Sequence, residues 1–89
     1  MTLRILLTGC GAPGTPGTVY ALRHNPDQTP VQIVGCDLNP ETSGRYLVDE
    51  FVPGLPPENV DYVSRLWDIC ARRSIDVIVP QTTREVERL

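Results

Sequence analysis

The 89-residue sequence contains no lysine, and all eight of its basic residues are arginines. Without an ammonium side chain, this stretch cannot carry a Schiff-base lysine or the lysine of a P-loop phosphate site. The arginines form no dense cluster, and the formal net charge is -3. Nucleic acids and anionic membrane surfaces need many phosphate-neutralising cations. We therefore expect neither nucleic acid nor a membrane as a partner.

Cysteine and long apolar runs are also scarce. Cys10, Cys36 and Cys70 are widely spaced and form no C-x-x-C pair, which favours reduced thiols over a disulfide framework or a zinc site. The apolar stretch that follows Met1 is too short for a signal peptide or a membrane span. These absences predict a cytoplasmic protein without a metal site of its own.

What the sequence does contain is the composition of an ordinary globular domain, with 40% hydrophobic and 21% charged residues. A chain of this length can bury one modest core but is too short for a complete two-domain enzyme. We therefore treat residues 1–89 as a single domain.

A glycine-rich turn near the amino terminus is the strongest local motif. Residues 3–8 form a nearly continuous apolar run, typical of a strand in a parallel sheet, and Gly9, Gly11 and Gly14 then fit G-x-G-x-x-G. Such glycines permit a tight turn, close approach of a ligand phosphate and close packing of the next helix. The motif predicts a ligand-binding turn made of Gly9, Cys10, Gly11, Ala12, Pro13 and Gly14. The alternative is a tight turn that binds no ligand.

Three residues of the turn qualify this prediction. Pro13 and Pro16 each remove an N–H group that could have faced a phosphate, which weakens the specifically dinucleotide version of the site. Cys10, near a helix start, is either a thiol of lowered pKa or a small buried filler. The second role is favoured, because no histidine or lysine lies near it in the sequence.

An acidic residue follows the second predicted strand. Residues 31–36 read as a strand that ends at Asp37, and a short helix over residues 18–24 completes a right-handed βαβ unit. Dinucleotide-binding domains hold the ribose hydroxyls with an acidic residue about 20 positions beyond the glycines. Asp37 is therefore either a ribose ligand or the cap of the turn at residues 39–40.

The second half of the chain predicts a further strand–helix–strand unit. It places a short strand at 51–52, a helix with Val63, Leu66, Trp67 and Cys70 on its buried face, and a strand at 76–80. The expected fold is α/β: a Rossmann-like, mainly parallel sheet of about four strands in the order 3-2-1-4, with helices on both faces.

The last stretch predicts the start of another helix. Residues 82–85 fit the capping box S/T-x-x-E, so Glu85 is either a substrate contact or only a capping residue. Val86 and Leu89 would begin an apolar face where the sequence stops. We expect the domain to be the front end of a longer protein.

The serial order of these segments resembles a known family. The segments are T-G-C-G-A-P-G, V-G-C-D-L-N-P, R-Y-L-V-D-E-F, Y-V-S-R-L-W-D-I-C and I-D-V-I-V-P-Q-T-T-R-E-V-E. Over nearly its whole length the chain is similar to the N-terminal, pre-ATP-grasp domain of ATP-grasp proteins related to the carbamoyl-phosphate synthase large subunit.

This resemblance implies an ATP-dependent ligase that activates a carboxylate as an acyl phosphate and joins it to an amine. ATP and magnesium would be held by a C-terminal ATP-grasp domain outside these residues, while this domain contacts the small-molecule substrate. Gly9, Gly11 and Gly14 would be the loop that faces the cleft, and Thr82 and Glu85 match the family's T-x-x-E segment. The family's lysines, metal-binding acids and ATP loop have no counterpart here, so no catalytic residue is expected; a homodimer stays open.

Two other functions remain open on the residues themselves. Thr8, the glycines and Asp37 would also suit the NAD(P)-binding domain of a short-chain reductase or epimerase. A stand-alone ligand-binding or regulatory module is the third interpretation.

Overall fold

Four strands and three α-helices alternate along the chain. A computed structural model describes residues 1–89, apart from the side chains of Thr83 and Arg88. The strands are β1 (Leu3–Thr8), β2 (Val31–Asp37), β3 (Glu50–Pro53) and β4 (Val77–Val79). The helices are α1 (Thr15–Arg23), α2 (Tyr62–Arg73) and α3 (Thr83–Arg88), and a 3-10 helix spans Ser43–Tyr46.

The strands form one sheet in the order β3-β2-β1-β4, and each neighbouring pair is parallel. β1 is central: Leu3 lies opposite Val31 of β2, and Ile5 lies opposite Val77 of β4. The predicted order 3-2-1-4 and the Rossmann-like α/β class are both confirmed. Because all strands run in one direction, the segments that follow them meet at one edge of the sheet, which we call the carboxyl edge.

The two faces of the sheet are covered by different helices. On one face, residues of α2 and of the strands form a buried cluster of Leu6, Val34, Cys36, Val52, Tyr62, Leu66 and Ile69. On the other face, Val19 of α1 packs with Leu7, Cys10 and Ile33. Neighbouring residues such as Leu6 and Leu7 point to opposite faces, as expected for a strand buried on both sides. Helices on both faces were predicted and are confirmed.

The buried face of α2 differs from the prediction. Tyr62, Leu66 and Ile69 are its buried residues, whereas Trp67 is 69% exposed. Leu66 and Ile69 lie three positions apart on one side of the helix, and Trp67 falls on the side away from the sheet. The spacing predicted the amphipathic helix correctly: Leu66 is buried, Val63 and Cys70 pack against the same cluster, and only Trp67 was assigned to the wrong side.

The helices are short. α1 begins at Thr15, with Pro16 in its first turn as predicted, where a missing N–H group breaks no intrahelical hydrogen bond. Among residues 1–89, no helix has the length and apolar character needed to cross a membrane.

Candidate functional site

The carboxyl edge brings three predicted segments together around a cleft. The glycine turn follows β1, Asp37 ends β2, and Thr82 and Glu85 follow β4. The cleft has a volume of about 90 Å³, and Gly9, Asp37, Thr82 and Glu85 line it. Of the nine residues predicted for the site, these four face the cleft, while the remaining five belong to the turn beside it.

The first two glycines of the motif are required by the fold itself. Gly9 has φ +59°, and a Cβ atom there would lie 3.0 Å from Glu85 Oε2. A Cβ atom on Gly11 would lie 2.7 Å from Asp37 Oδ2 and 2.7 Å from Thr42 Oγ1. A side chain is therefore disfavoured at Gly9 by the left-handed backbone and at Gly11 by the close approach of Asp37 and Thr42.

The third glycine of the motif is not required in that way. A Cβ atom on Gly14 would meet nothing within 4 Å, and the same is true of Gly17 in the first turns of α1. Close packing of helix on strand, which the motif suggested for Gly14, is therefore not the reason for a glycine there. No neighbouring group covers the backbone at these two positions.

Most N–H groups of the turn are already used. Cys10 donates to Cys36 O (3.0 Å), Ala12 to Gly9 O (2.9 Å) and Thr15 to Ala12 O (3.1 Å). The two prolines have no N–H group to offer. Among the described residues, the N–H groups of Gly14 and Gly17 have no acceptor. The turn therefore presents two free donors at the start of α1, where the helix dipole favours an anion.

Asp37 is held by backbone groups on both of its oxygens. Oδ2 accepts a hydrogen bond from Gly11 N–H (2.8 Å), and Oδ1 accepts one from Asn39 N–H (2.9 Å). The second contact confirms that Asp37 caps the turn after β2. A carboxylate has about four acceptor positions. Two of them remain, so the cap leaves Asp37 able to accept hydrogen bonds from a ligand.

Glu85 is a buried carboxylate, with 7% of the residue exposed. Its Oε2 accepts from the Thr8 hydroxyl (2.8 Å) and, more weakly, from Gln81 N–H (3.4 Å). The Glu85 N–H group donates to Thr82 Oγ1 (3.3 Å), which confirms the first half of the capping box. The side chain does not return to the N–H group of Thr82, as a complete box would require, but crosses to the end of β1.

Gln81 and Thr15 belong to the same network, and the sequence analysis missed both. Gln81 Nε2 donates to Thr15 Oγ1 (2.9 Å) and Gly9 O (3.1 Å), so it joins the end of β4 to the glycine turn. Thr8, Thr15 and Glu85 are the buried polar residues among the described side chains, and all three lie here. The position of Gln81 directly after β4, at the carboxyl edge, is the signal that could have identified it.

The thiol beneath the turn is a packing residue. Cys10 is fully buried, and its burial, with the nearby Asp37 carboxylate, raises its pKa to about 11. Burial likewise raises the pKa of Cys36 to about 12. Thiols that stay protonated are poor nucleophiles. The prediction that Cys10 is a small buried packing residue is therefore confirmed, and the alternative prediction of a lowered pKa is wrong.

Most of the charged side chains around the cleft are carboxylates, which accept hydrogen bonds. Arg84 lies at its rim but is paired with Glu58, with 2.6 Å between Nε and Oε1. This pair raises the pKa of Arg84 and lowers that of Glu58. Within the described part of the chain, no group of three histidine, cysteine or acidic side chains is placed to hold a metal ion.

The comparisons with known proteins bear on the fold. No protein-family model matches the chain, and no curated protein matches it. Among solved structures, dTDP-glucose 4,6-dehydratase from Bacillus anthracis, in complex with NAD, is similar with a TM-score of 0.62 and 17% sequence identity. The match covers 97% of this chain and 28% of the dehydratase chain. At that identity the likeness shows a shared architecture, which is a Rossmann-like α/β domain.

Proposed function

We propose that this domain binds NAD(P) across the carboxyl edge of its sheet, as the cofactor-binding part of a reductase or epimerase. The observation that carries the proposal is the state of Asp37. Its carboxylate is oriented by Gly11 and Asn39 N–H groups at the end of β2 and keeps acceptor positions on both oxygens. A ribose diol offers two hydroxyl donors at matching spacing, which is the contact that dinucleotide-binding domains make here.

The phosphate part of the ligand would lie at the start of α1. Gly14 and Gly17 supply two free N–H groups and no Cβ atoms, so a phosphate oxygen can approach the backbone closely. When bound, the nicotinamide cofactor would supply the hydride chemistry. The residues of this chain would bind and orient the cofactor, and substrate-binding residues would come from elsewhere in the enzyme. The NAD-bound dehydratase of the same fold supports this proposal.

Asp37 provides the direct test. The 89-residue chain is titrated with NADH, followed by cofactor fluorescence, and compared with the Asp37→Ala and Asp27→Ala variants. Asp27 is an exposed carboxylate near the opposite edge of the sheet and serves as the matched control. Loss of a charge-assisted hydrogen bond costs about 1.5–3 kcal/mol, so Asp37→Ala should weaken binding by about tenfold or more.

The control should bind NADH like the parent chain. NADPH should bind more weakly than NADH, because the Asp37 carboxylate repels a 2′-phosphate. An Asp37→Ala variant with parental affinity, or a parent chain that binds no NADH, would overturn the proposal.

As a second candidate, we propose the N-terminal domain of an ATP-grasp ligase. One observation weakens the first candidate: the N–H groups of Cys10, Gly11, Ala12 and Thr15 are occupied, which leaves only those of Gly14 and Gly17 for a pyrophosphate. The serial resemblance of the sequence segments supports the second candidate. In this case the chain contacts the small-molecule substrate, and a C-terminal ATP-grasp domain holds ATP and magnesium. The 89 residues should then bind neither ATP nor NADH tightly.

The reading frame of the source gene separates the two candidates. A downstream Tyr-x-x-x-Lys pair would favour the reductase or epimerase. A glycine-rich ATP loop with metal-binding glutamate and asparagine would favour the ligase, and an immediate stop codon would leave a stand-alone module. We place the protein in the cytoplasm in either case, supported by three cysteines that are all free thiols.

A further inference from the structure

Glu85 has more acceptor capacity than the fold uses. The residue is 93% buried, and its Oε2 atom accepts hydrogen bonds from Thr8 and Gln81. The Oε1 atom accepts no hydrogen bond from any described residue, and Glu85 lines the cleft. Oε1 is open to the cleft rather than sealed in the core, so a ligand that donates a hydrogen bond can reach it there.

The other polar groups of the cleft select for the same kind of ligand. Asp37 adds further acceptor positions on the opposite side of the glycine turn. Arg84, the cation that lines the cleft, is committed to Glu58. An anionic group would therefore meet two carboxylates without a free cation among the described side chains. The part of a ligand that enters the cleft must therefore donate hydrogen bonds and cannot be an anion.

Part of the lining of the cleft is apolar and consists of Cys36, Leu55, Pro57, Tyr62 and Leu66. The cavity volume of about 90 Å³ is too small to enclose a whole dinucleotide. An apolar lining combined with two carboxylate acceptors suits a flat ring that carries an amino substituent.

We propose that Glu85 determines specificity by accepting, through Oε1, a hydrogen bond from the amino group of a heteroaromatic ring seated in this cleft. The inference rests on the proposed function to the extent that a dinucleotide held at Asp37 would bring such a ring to the cleft. Thr8 and Gln81 are positioning residues, because their contacts to Oε2 aim Oε1 at the ligand.

Adenosine and inosine test the inference as a matched pair. Inosine has a carbonyl oxygen where adenosine has an amino group, so it would place an acceptor against Glu85. The 89-residue chain is titrated with each nucleoside by calorimetry, beside the Glu85→Gln and Glu87→Gln variants. Glu87 is an exposed glutamate on the same helix and serves as the control. Thermal melting checks that each variant is folded.

We expect the parent chain and Glu87→Gln to prefer adenosine by about tenfold or more, since a wrong partner leaves a buried acceptor unpaired. A carboxamide at position 85 can donate as well as accept, so Glu85→Gln should lose this preference or reverse it. An unchanged preference in Glu85→Gln would overturn the inference, as would a parent chain that binds neither nucleoside.

The outcomes for Glu85 and for Asp37 are separable. Binding of NADH that depends on Asp37, without a Glu85-dependent choice between the nucleosides, would leave the proposed function standing and overturn this inference. Glu85-dependent discrimination without any effect of Asp37→Ala would do the reverse. Ethylammonium binding with the same dependence on Glu85 would show that the cleft takes a simple cation, which would overturn the assignment of a ring.

Discussion

The polar side chains at the two edges of the sheet differ in how fully their hydrogen bonds are satisfied. At the amino edge, where the strands begin, Arg4 Nε donates to Arg73 O (2.7 Å), and Arg4 N–H donates to Asp76 Oδ2 (2.9 Å). Arg73 is in turn paired with Glu50 (2.8 Å). At the carboxyl edge, Asp37 and Glu85 have no described cationic partner and keep unused acceptor positions. At the amino edge these polar groups satisfy one another and stabilise the fold, whereas the spare acceptors at the carboxyl edge are available to a ligand.

Cavity size alone points to the other edge of the sheet. A wider groove of about 260 Å³ lies beside α1 near the amino edge, lined by residues that include Leu3, Ala21 and Asn25. Of its polar residues, Asn25 is satisfied, because its side chain bonds to Leu22 O and to both backbone groups of Thr29, and Asp27 is exposed to solvent. The smaller cleft combines two carboxylates with the glycine turn, and it is the better candidate for that reason.

The largest effect should come from pressing a side chain into the carboxyl edge. A Cβ atom on Gly44 would lie 1.9 Å from the Cys10 carbonyl oxygen, which cannot move without distorting the glycine turn. Gly44→Ala should lower the free energy of unfolding by about 3 kcal/mol or more. Urea denaturation measures this change.

Gly17→Ala is the matched control for that substitution. Gly17 lies in α1 with open space around it, so alanine should raise the free energy of unfolding by about 0.5–1 kcal/mol through its helix propensity. Equal stability of the two alanine variants would contradict the close contact between the 3-10 helix and the turn.

An intermediate effect should follow from breaking the amino edge. Arg4→Met keeps the apolar stem but removes the hydrogen bonds of Arg4 to Arg73 O and Gln32. We expect the free energy of unfolding to fall by about 1–2 kcal/mol. The affinity for NADH or adenosine should stay at the parental value, since no cleft residue is touched. A loss of ligand affinity in this variant would contradict the separation of roles between the edges.

The last prediction concerns pH and the thiol beneath the carboxyl edge. The folded pKa of Cys10 is about 11, whereas its ordinary value is 9.0. A group whose pKa is raised by folding stabilises the fold fully below its unfolded pKa, and this contribution is lost as pH rises towards the folded value. The free energy of unfolding should therefore decline between pH 9 and pH 11.

Urea midpoints measured across that range test the assignment. Cys10→Ala should make the decline shallower, while Cys70→Ala, which removes a half-buried thiol, should change it less. An identical slope in the parent and in Cys10→Ala would show that this thiol is not what responds to pH.

The central strands and the glycine turn could be predicted because their determinants are local. The apolar run of β1 and the positive φ of Gly9 depend on residues within a few positions of each other. The buried face of α2 could not be placed as well, because two apolar stripes are available and only the sheet decides which of them packs. In the folded protein Ile69 is buried against the sheet, and Trp67 is exposed.

The site was predicted in its parts but not in its connections. Asp37 and Glu85 were each identified with two open roles, and Gln81 and Thr15 were not identified. The bond from Thr8 to Glu85 joins residues 77 positions apart, and no local pattern carries that information. The long-range contacts are what turned a capping-box glutamate into the buried acceptor of a cleft.

The amino-acid sequence by itself determined the alternation of strands and helices, the parallel order of the sheet and the absence of lysine chemistry. These follow from periodicity, turn residues and composition, which act over short stretches of chain. Tertiary structure alone decided which N–H groups of the glycine turn stay free, which carboxylate is buried and which helix face packs. Those properties depend on the strand neighbours that folding brings to one edge of the sheet.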